Sequence, residues 1–418
     1  MPNYRRWNGG ATAVAQVRTT QITGAASGST ITTTLTAEDG STQSVVTTMT
    51  SSTLADQATV YRNALAASSQ SEFQKLTYSV DGVVVTITAS IAGRPFNMSI
   101  TGTTGSASVS NAAVTASAGP NDWNTAANWS GGVKPASDDL VAFTNGAFDV
   151  LYGLDQSAIV LYQMSVSEGF TGNIGTANAA LRIQTDASHG DAEQTLNLAG
   201  SGFMYNFSGD YPIVNVSNNR ATLKIAGEIS ETNLVGGSVS GTITVDSADA
   251  TTNGNALTLS NVSPGCKVVI PNTATNTGDI RMDSGLVECS AVTKAAKSSL
   301  MLSGGTFVTK DSGQIATNAA SLGVAPAAIT ITGGTYRHES DADLAGDSTR
   351  LAVYNGMADF SRVRAKTSGE FLALGTVKLF GGVIDKTAAG NLTSFTALTK
   401  AGGTVLQPAS AVANSAKR

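Results

Sequence analysis

The stretch LMLSGGTFVTK, residues 300–310, returns as ITITGGTYRHE at 329–339. Each has apolar residues at its first and third positions, then a polar residue, a glycine pair, and an aromatic two residues after the second glycine. A strand presents every second side chain to one face, so the two apolar positions before the corner share a face. Glycine suits such a corner because it adopts backbone conformations that side chains forbid.

Aligning the chain on the second corner residue (Gly285, Gly305, Gly334, Gly356, Gly382 and Gly403) extends the pattern. Five residues earlier stand Ile280, Leu300, Ile329, Leu351, Val377 and Leu398. Three earlier stand Met282, Leu302, Ile331, Val353, Leu379 and Lys400; two later stand Val287, Phe307, Tyr336, Ala358, Ile384 and Val405. The spacing between corners varies from 20 residues (Gly285 to Gly305) to 29 (Gly305 to Gly334). Apolar columns that persist while the remainder changes length describe rungs of a solenoid with irregular loops on one side. MSVSEGF (164–170), LNLAGSGF (196–203), LKIAGEI (223–229) and ITVDS (243–247) read as looser rungs. The expected fold is mainly β, a small N-terminal α+β domain followed by a parallel β-helix over 144–407. A β-sandwich also makes short alternating strands, but it does not require three aligned columns.

Composition agrees with extended structure and tight corners. Of 418 residues, 44 are glycine, 13% are charged and 41% are hydrophobic, too apolar for a disordered chain. A net charge of −5 without a Lys/Arg run offers no footprint for nucleic acid. No run of about 18 apolar residues suggests a membrane span, and MPNYRRWNGG at the start lacks the apolar core of a signal peptide. Synthesis in a reducing cytosol is expected. Two cysteines, Cys266 and Cys289, are too few for a disulfide framework or a structural zinc site. Their spacing, near one coil, suggests buried thiols stacked on adjacent rungs.

Residues 1–27 read as an arm and 28–106 as the α+β domain. There TITTTLTAEDGSTQSVVTTMT (30–50) alternates about Asp39-Gly40, a favoured hairpin turn. A helix follows with Leu54, Ala58, Tyr61 and Leu65 on one face, opened by Thr53 and Asp56 as an approximate capping box. A second hairpin turns at Asp81-Gly82, and a last strand lies near FNMSITG (96–102). Residues 107–120 read as a low-complexity linker. Residues 121–143 read as a solenoid cap in which Trp123 and Trp129 cover the first coil and Pro135 blocks strand addition. At the other end the inward column breaks at Lys400, and 408–418 form a tail.

No motif commits to chemistry; no catalytic, cofactor-binding or metal-binding residues are assigned. Three residues after each corner glycine stand Glu288, Val308, Arg337, Asp359, Asp385 and Leu406. Asp359 and Asp385 on adjacent rungs have the spacing of an acid/base pair, but the mixed column favours a solvated, ion-paired face. The loop HESDADLAGD (338–347) gathers His338, Glu339, Asp341, Asp343 and Asp347 without the spacing of an EF-hand. His189 and His338 neighbour no nucleophile-elbow serine. VGGSVSG (235–241) is followed by no phosphate-binding helix. Asn215, Asn218 and Asn219 are candidates for a structural ladder. Tyr205, Tyr211, Tyr336 and Tyr354 are the aromatic candidates for facing a glycan, but they are scattered and several fall in inward columns.

RRWNGGATAVAQV (5–17), VVVTITASIAGRPFNMS (83–99), PNDWNTAANWSGG (120–132) and DVLYGLDQSAIVL (149–161) together resemble an uncharacterised family of phage and prophage virion proteins. WNTAANWSGGVKPASDDLVAF (123–143) is also similar to the Trp-rich entry segment ahead of β-helical repeats in bacterial surface and autotransporter-like passengers. The virion resemblance covers roughly 1–175, and the solenoid only in style. It implies a non-enzymatic capsid decoration (cement) protein, without cofactor, membrane or nucleic acid. Such a protein is expected as a homotrimer on the virion, bound to the major capsid protein. In that role Tyr4, Arg5, Arg6 and Trp7 would insert between capsomers, Arg pairing with carboxylates and Trp filling a pocket. The alternative is a tailspike or fibre that binds host glycan, with or without depolymerase activity. A bacterial surface adhesin or enzyme is a third reading. Few aromatics (6%) and no tryptophan after Trp129 favour decoration.

Overall fold

A computed structural model describes residues 2–24, 26–51, 53–103, 105, 107–185, 195–217, 222–227, 229–235, 239, 241–247, 256–260, 262–263, 266–270, 280–290, 292–295, 300–310, 314–317, 329–339, 350–362, 372–387 and 392–407. His189, Asn218, Asn219, Asp341, Asp343, Asp347, most of VGGSVSG and the tail from Pro408 lie outside the described residues. The protein is mainly β, with two long parallel sheets of 13 and 12 strands, an arrangement consistent with a β-helix. The chain divides into two compact units, Met1–Ile159 with Thr171–Arg182, and Val160–Phe170 with Ile183–Arg418.

In the second unit the corner alignment is the observed register. Ile280 pairs with Leu300, Leu300 with Ile329, Ile329 with Leu351, Leu351 with Val377, and Val377 with Leu398. The column three before the glycine is paired in the same way down to Leu379 with Lys400. Across the corner Val287, Phe307, Tyr336, Ala358, Ile384 and Val405 pair in succession. From Ile280 to Leu379 and from Val287 to Ile384 these side chains are at most 3% exposed. Fully burying one is worth about 1.5–3 kcal/mol. Each rung therefore supplies an apolar layer, and parallel pairing stacks the layers into one core.

The corners stack as tightly as the strands. Gly334 has φ +72, and a Cβ there would stand 2.6 Å from the Gly305 carbonyl oxygen. That same oxygen accepts a hydrogen bond from Thr335 N at 2.9 Å. Glycine is needed twice over, for its positive φ and for the approach of the rung below.

A fourth inward column escaped the sequence reading. Ile270 pairs with Cys289, Cys289 with Thr309, and Thr309 with His338, all within 2% of full burial. Cys289 thus stands opposite Ile270, at the far end of the strand Cys266–Ile270 that Cys266 begins. Both thiols are buried and not joined to each other, and they do not stack. Spacing near one coil located the rungs correctly without fixing the position along each strand.

In the first unit Val17–Gly24 runs antiparallel to both Val84–Ala89 and Ser108–Thr115, with Leu76–Asp81 beyond. A second sheet holds Thr42–Thr48, Thr30–Thr36 and Asn97–Thr103. Between them lie Ile22, Ile31, Leu35, Phe73, Val85 and Ile87, joined by Ala58, Tyr61 and Leu65 from the helix Leu54–Ala66. Leu54, expected on that face, is 36% exposed. Thr53 is the N-cap, yet its hydroxyl donates to the Asp56 carboxylate rather than capping the backbone.

Both hairpins differ in detail from the turn signals. Only Gly40 has positive φ in the first, where Ala37 N bonds Ser41 O and Gly40 N bonds Ala37 O. In the second, Asp81 pairs with Val84, so the turn residues are Gly82 and Val83. Residues 107–120 are no simple linker, since Ser108–Thr115 is a strand; its side chains are mostly exposed, which removed the periodicity that would have revealed it. The N-terminal 1–27 is no free arm either. Tyr4–Arg6 runs parallel to Leu140–Ala142, and Val17–Gly24 is an inner strand of its sheet.

Candidate functional site: the N-terminal tryptophan cluster and its cleft

The phrases WNGG (7–10) and WSGG (129–132) face each other, since Trp7 and Trp129 form an isolated antiparallel bridge. Their rings meet edge to face with centroids 5.0 Å apart, and Trp123 meets Trp129 at 4.6 Å. Phe143 completes the cluster at 5.9 Å from Trp7 and 6.0 Å from Trp129. All four are at most 2% exposed. Trp7 Nε1 donates to Phe148 O at 3.0 Å and Trp129 Nε1 to Trp123 O at 2.8 Å. Asn128 ties the segments together: its side-chain amide donates to Gly119 O and Asp122 O, and its Oδ1 accepts from Ala11 N.

This geometry corrects the capsid-clamp assignment. Trp7 fills a pocket of its own chain and has no surface left to insert elsewhere. Arg5 Nε bonds Asp139 Oδ2 at 3.0 Å, a carboxylate that also accepts from Asn3 Nδ2 and Ala136 N. Burial raises the Asp139 pKa, but these hydrogen bonds and the Arg5 charge outweigh it and hold the group below its ordinary value. Only Tyr4, 55% exposed, and Arg6, whose Nε bonds Asn8 Oδ1, face outward. Trp123 and Trp129 are buried within the first unit's own cluster.

The segment that carries Trp123 also lines a cleft of about 530 Å³, whose walls include Glu38, Lys75, Arg94, Asp122, Asp155 and Arg182. Asp122 accepts from Asn124 N at 2.9 Å and from Thr125 Oγ1 at 3.4 Å. Its pKa is raised, chiefly because burial outweighs those hydrogen bonds. Glu38, at the hairpin tip, accepts from Leu154 N at 3.5 Å and is raised by burial and by the Asp122 charge. Gly153 has φ +65, and a Cβ there would stand 2.6 Å from Asp122 Oδ1. Perturbed carboxyls in a cleft are a recognised mark of function. Here each is tied to the backbone of 124–154, and the opposing cations leave a mixed-charge recess suited to holding polar groups.

In the second unit the outward carboxylates are paired. Arg337 Nε bonds Asp359 Oδ2 at 2.9 Å, and Asp359 Oδ1 accepts from Ser361 N and Oγ. Asp359 and Asp385 are register partners as expected, but Asp385 accepts from Thr387 N, and Asp359 is held below its usual range by these contacts despite burial. Glu288 lies between Lys267 and Lys310, each at 2.7 Å. His338 points inward, with Nδ1 2.7 Å from Thr309 Oγ1 and 3.1 Å from Tyr336 OH, while Glu339 faces Arg337 and Arg362 at 3.9 and 3.7 Å. Among the described residues, no group of three or more His, Cys, Asp or Glu is placed to hold a metal ion.

Of the asparagine candidates, Asn215 belongs to a ladder, bonded to Asn197 at 2.9 Å and to Asn233 at 3.2 Å. Register, rather than proximity in sequence, selects its partners. Tyr205, Tyr211 and Tyr336 are buried, whereas Tyr354 is 50% exposed and stacks on Phe380 at 4.7 Å. Alignment of the residue two before each corner glycine would have found that pair.

The chain matches no protein-family model, no curated protein and no solved structure.

Proposed function

We propose that this chain is a non-enzymatic structural protein of a phage virion, a capsid decoration protein bound to the major capsid protein. In this reading a small α+β domain in the N-terminal region docks on the capsid, and a parallel β-helix projects as a knob, three copies bundling about an axis. The observation that carries it is the state of the outer carboxylates. Asp359 and Glu288 are each held in ion pairs that brace adjacent rungs, which suits a rigid projection more than an acid/base site. With Arg5 and Trp7 engaged internally, the docking contact falls to Tyr4 and Arg6.

Copy number per particle against the major capsid protein tests this. Hundreds of copies, with occupancy reduced by a Tyr4→Ala/Arg6→Ala double variant, agree with decoration; a few tens or fewer overturn it. The second reading, a tailspike or fibre that binds host glycan, is favoured by one observation, the exposed Tyr354–Phe380 stack.

A further inference from the structure

The outer face of the longer sheet in the second unit carries a trough of about 330 Å³, lined by residues that include Thr258, Ser260, Arg281, Met301, Ser303 and Thr330. Alternate residues of successive strands supply them. Thr258 pairs with Arg281, Arg281 with Met301, Met301 with Thr330 and Thr330 with Ala352. One strand further, Ala352 pairs with Lys378. Two residues after these last partners come Tyr354 and Phe380, which continue the outward side.

Three features define what the face would hold. Hydroxyls line three of its four rungs, Thr258 with Ser260, Ser303, and Thr330 with Thr332. Ser260, Ser303 and Thr332 donate within the chain, to Asp283, Met282 O and Leu302 O, and present their oxygens as acceptors. At one rung a carboxylate is fixed in place, since Asp283 accepts from Ser260 Oγ at 3.1 Å and from Ser284 Oγ at 2.7 Å, and Arg281 beside it is exposed. At the end of the row Tyr354 and Phe380 lie 4.7 Å apart and 12° from parallel, 50% and 42% exposed. The next residue in that row is Ala401, which has no ring, so no third ring of the row covers Phe380. Such a face differs from an apolar groove for a helix, which would lack the hydroxyl floor.

We infer that this trough is a saccharide-binding site. Sugar hydroxyls would bond the Ser/Thr floor, Arg281 and Asp283, and the C–H face of one ring would pack on the Tyr354–Phe380 end. From Ala256–Ser260 to Leu372–Leu379 the row crosses five strand steps, about 24 Å at ~4.8 Å per step. That length accepts an oligosaccharide of several residues lying along the axis. The inference goes beyond the decoration reading and deepens the glycan-binding one, on which it rests only for its biological setting.

The test uses the full chain and three probes, chitohexaose, maltohexaose and an α2,8-linked sialic acid hexamer, followed by saturation-transfer NMR and calorimetry. Expected is binding of at least one probe, with affinity falling about tenfold in Phe380→Ala and in Tyr354→Ala. Phe380→Tyr should retain it, and all variants should melt with the parent. No binding of any probe at millimolar concentration overturns the assignment, as does equal binding by the Tyr354→Ala/Phe380→Ala double variant. Sedimentation showing self-association that depends on Tyr354 would assign the face to a second copy and likewise overturn it. Copy number per particle is unaffected by any of these results, so failure here is distinguishable from failure of the virion reading.

Discussion

Trp7 and Trp129 meet edge to face across a single antiparallel bridge, 5.0 Å between ring centroids. More than a hundred residues of chain separate them, so the contact closes a long loop. The N-terminal segment is thereby part of the first unit's core.

Trp7→Ala is expected to destabilise the first unit by about 3–5 kcal/mol, the usual cost of emptying a fully buried large aromatic site. Removing residues 1–8 should do at least as much. Urea denaturation followed by tryptophan fluorescence reads this directly, since all three tryptophans lie in the cluster. An unchanged midpoint for the deletion would mean that the segment is an appendage after all.

Gly334→Ala should cost more than Gly131→Ala, although the two glycines have nearly equal φ, +72 and +74. An alanine held in the left-handed region costs about 1–2 kcal/mol at either position. Only at Gly334 does the new Cβ also meet the neighbouring rung, whereas nothing lies within 4 Å at Gly131. Equal losses in chemical denaturation would show that the corners are not stacked as described.

Two carboxylates should shift stability with pH in opposite senses. Asp139 is lowered in the folded chain, so its contribution is complete above its unfolded pKa and is lost as pH falls through the folded value. Asp139→Asn should therefore be destabilising at neutral pH and harmless in strong acid. Asp122 is raised, so its ionised form weighs against folding at neutral pH, and that penalty fades on acidification. Asp122→Asn, which keeps an oxygen for Asn124 N, should be neutral or stabilising at pH 7. Melts of both variants across acidic and neutral pH check the signs.

Neither cysteine should react with a thiol reagent in the native state. Burial pushes the Cys266 thiol up to about 11, and both side chains are inaccessible. Thiolate is the reactive form, so labelling should wait on unfolding. Oxidant should not join the two, because they occupy opposite ends of neighbouring strands. A disulfide found on native mass spectrometry would contradict the register.

The solenoid-like part was legible because one rule repeats. Leu300, Ile329 and Val377 differ in identity and spacing, but each precedes a corner glycine by the same five residues. Where side-chain polarity did not report burial, legibility failed. The Ile270–Cys289–Thr309–His338 column contains a hydroxyl, a thiol and an imidazole, so no hydropathy pattern marks it as interior. Ser108–Thr115 failed for the converse reason, being held by backbone pairing while most of its side chains face solvent.

Sequence by itself therefore determined the parallel register of six successive rungs and their glycine corners. These follow from local periodicity, which depends only on strand geometry and on the conformational freedom of glycine. Only the tertiary structure decided that Arg5 and Trp7 are consumed within the chain, Arg5 by Asp139 and Trp7 by Trp129 and Phe143. Both contacts depend on which residue more than a hundred positions away occupies the neighbouring site, and linear spacing carries no record of that.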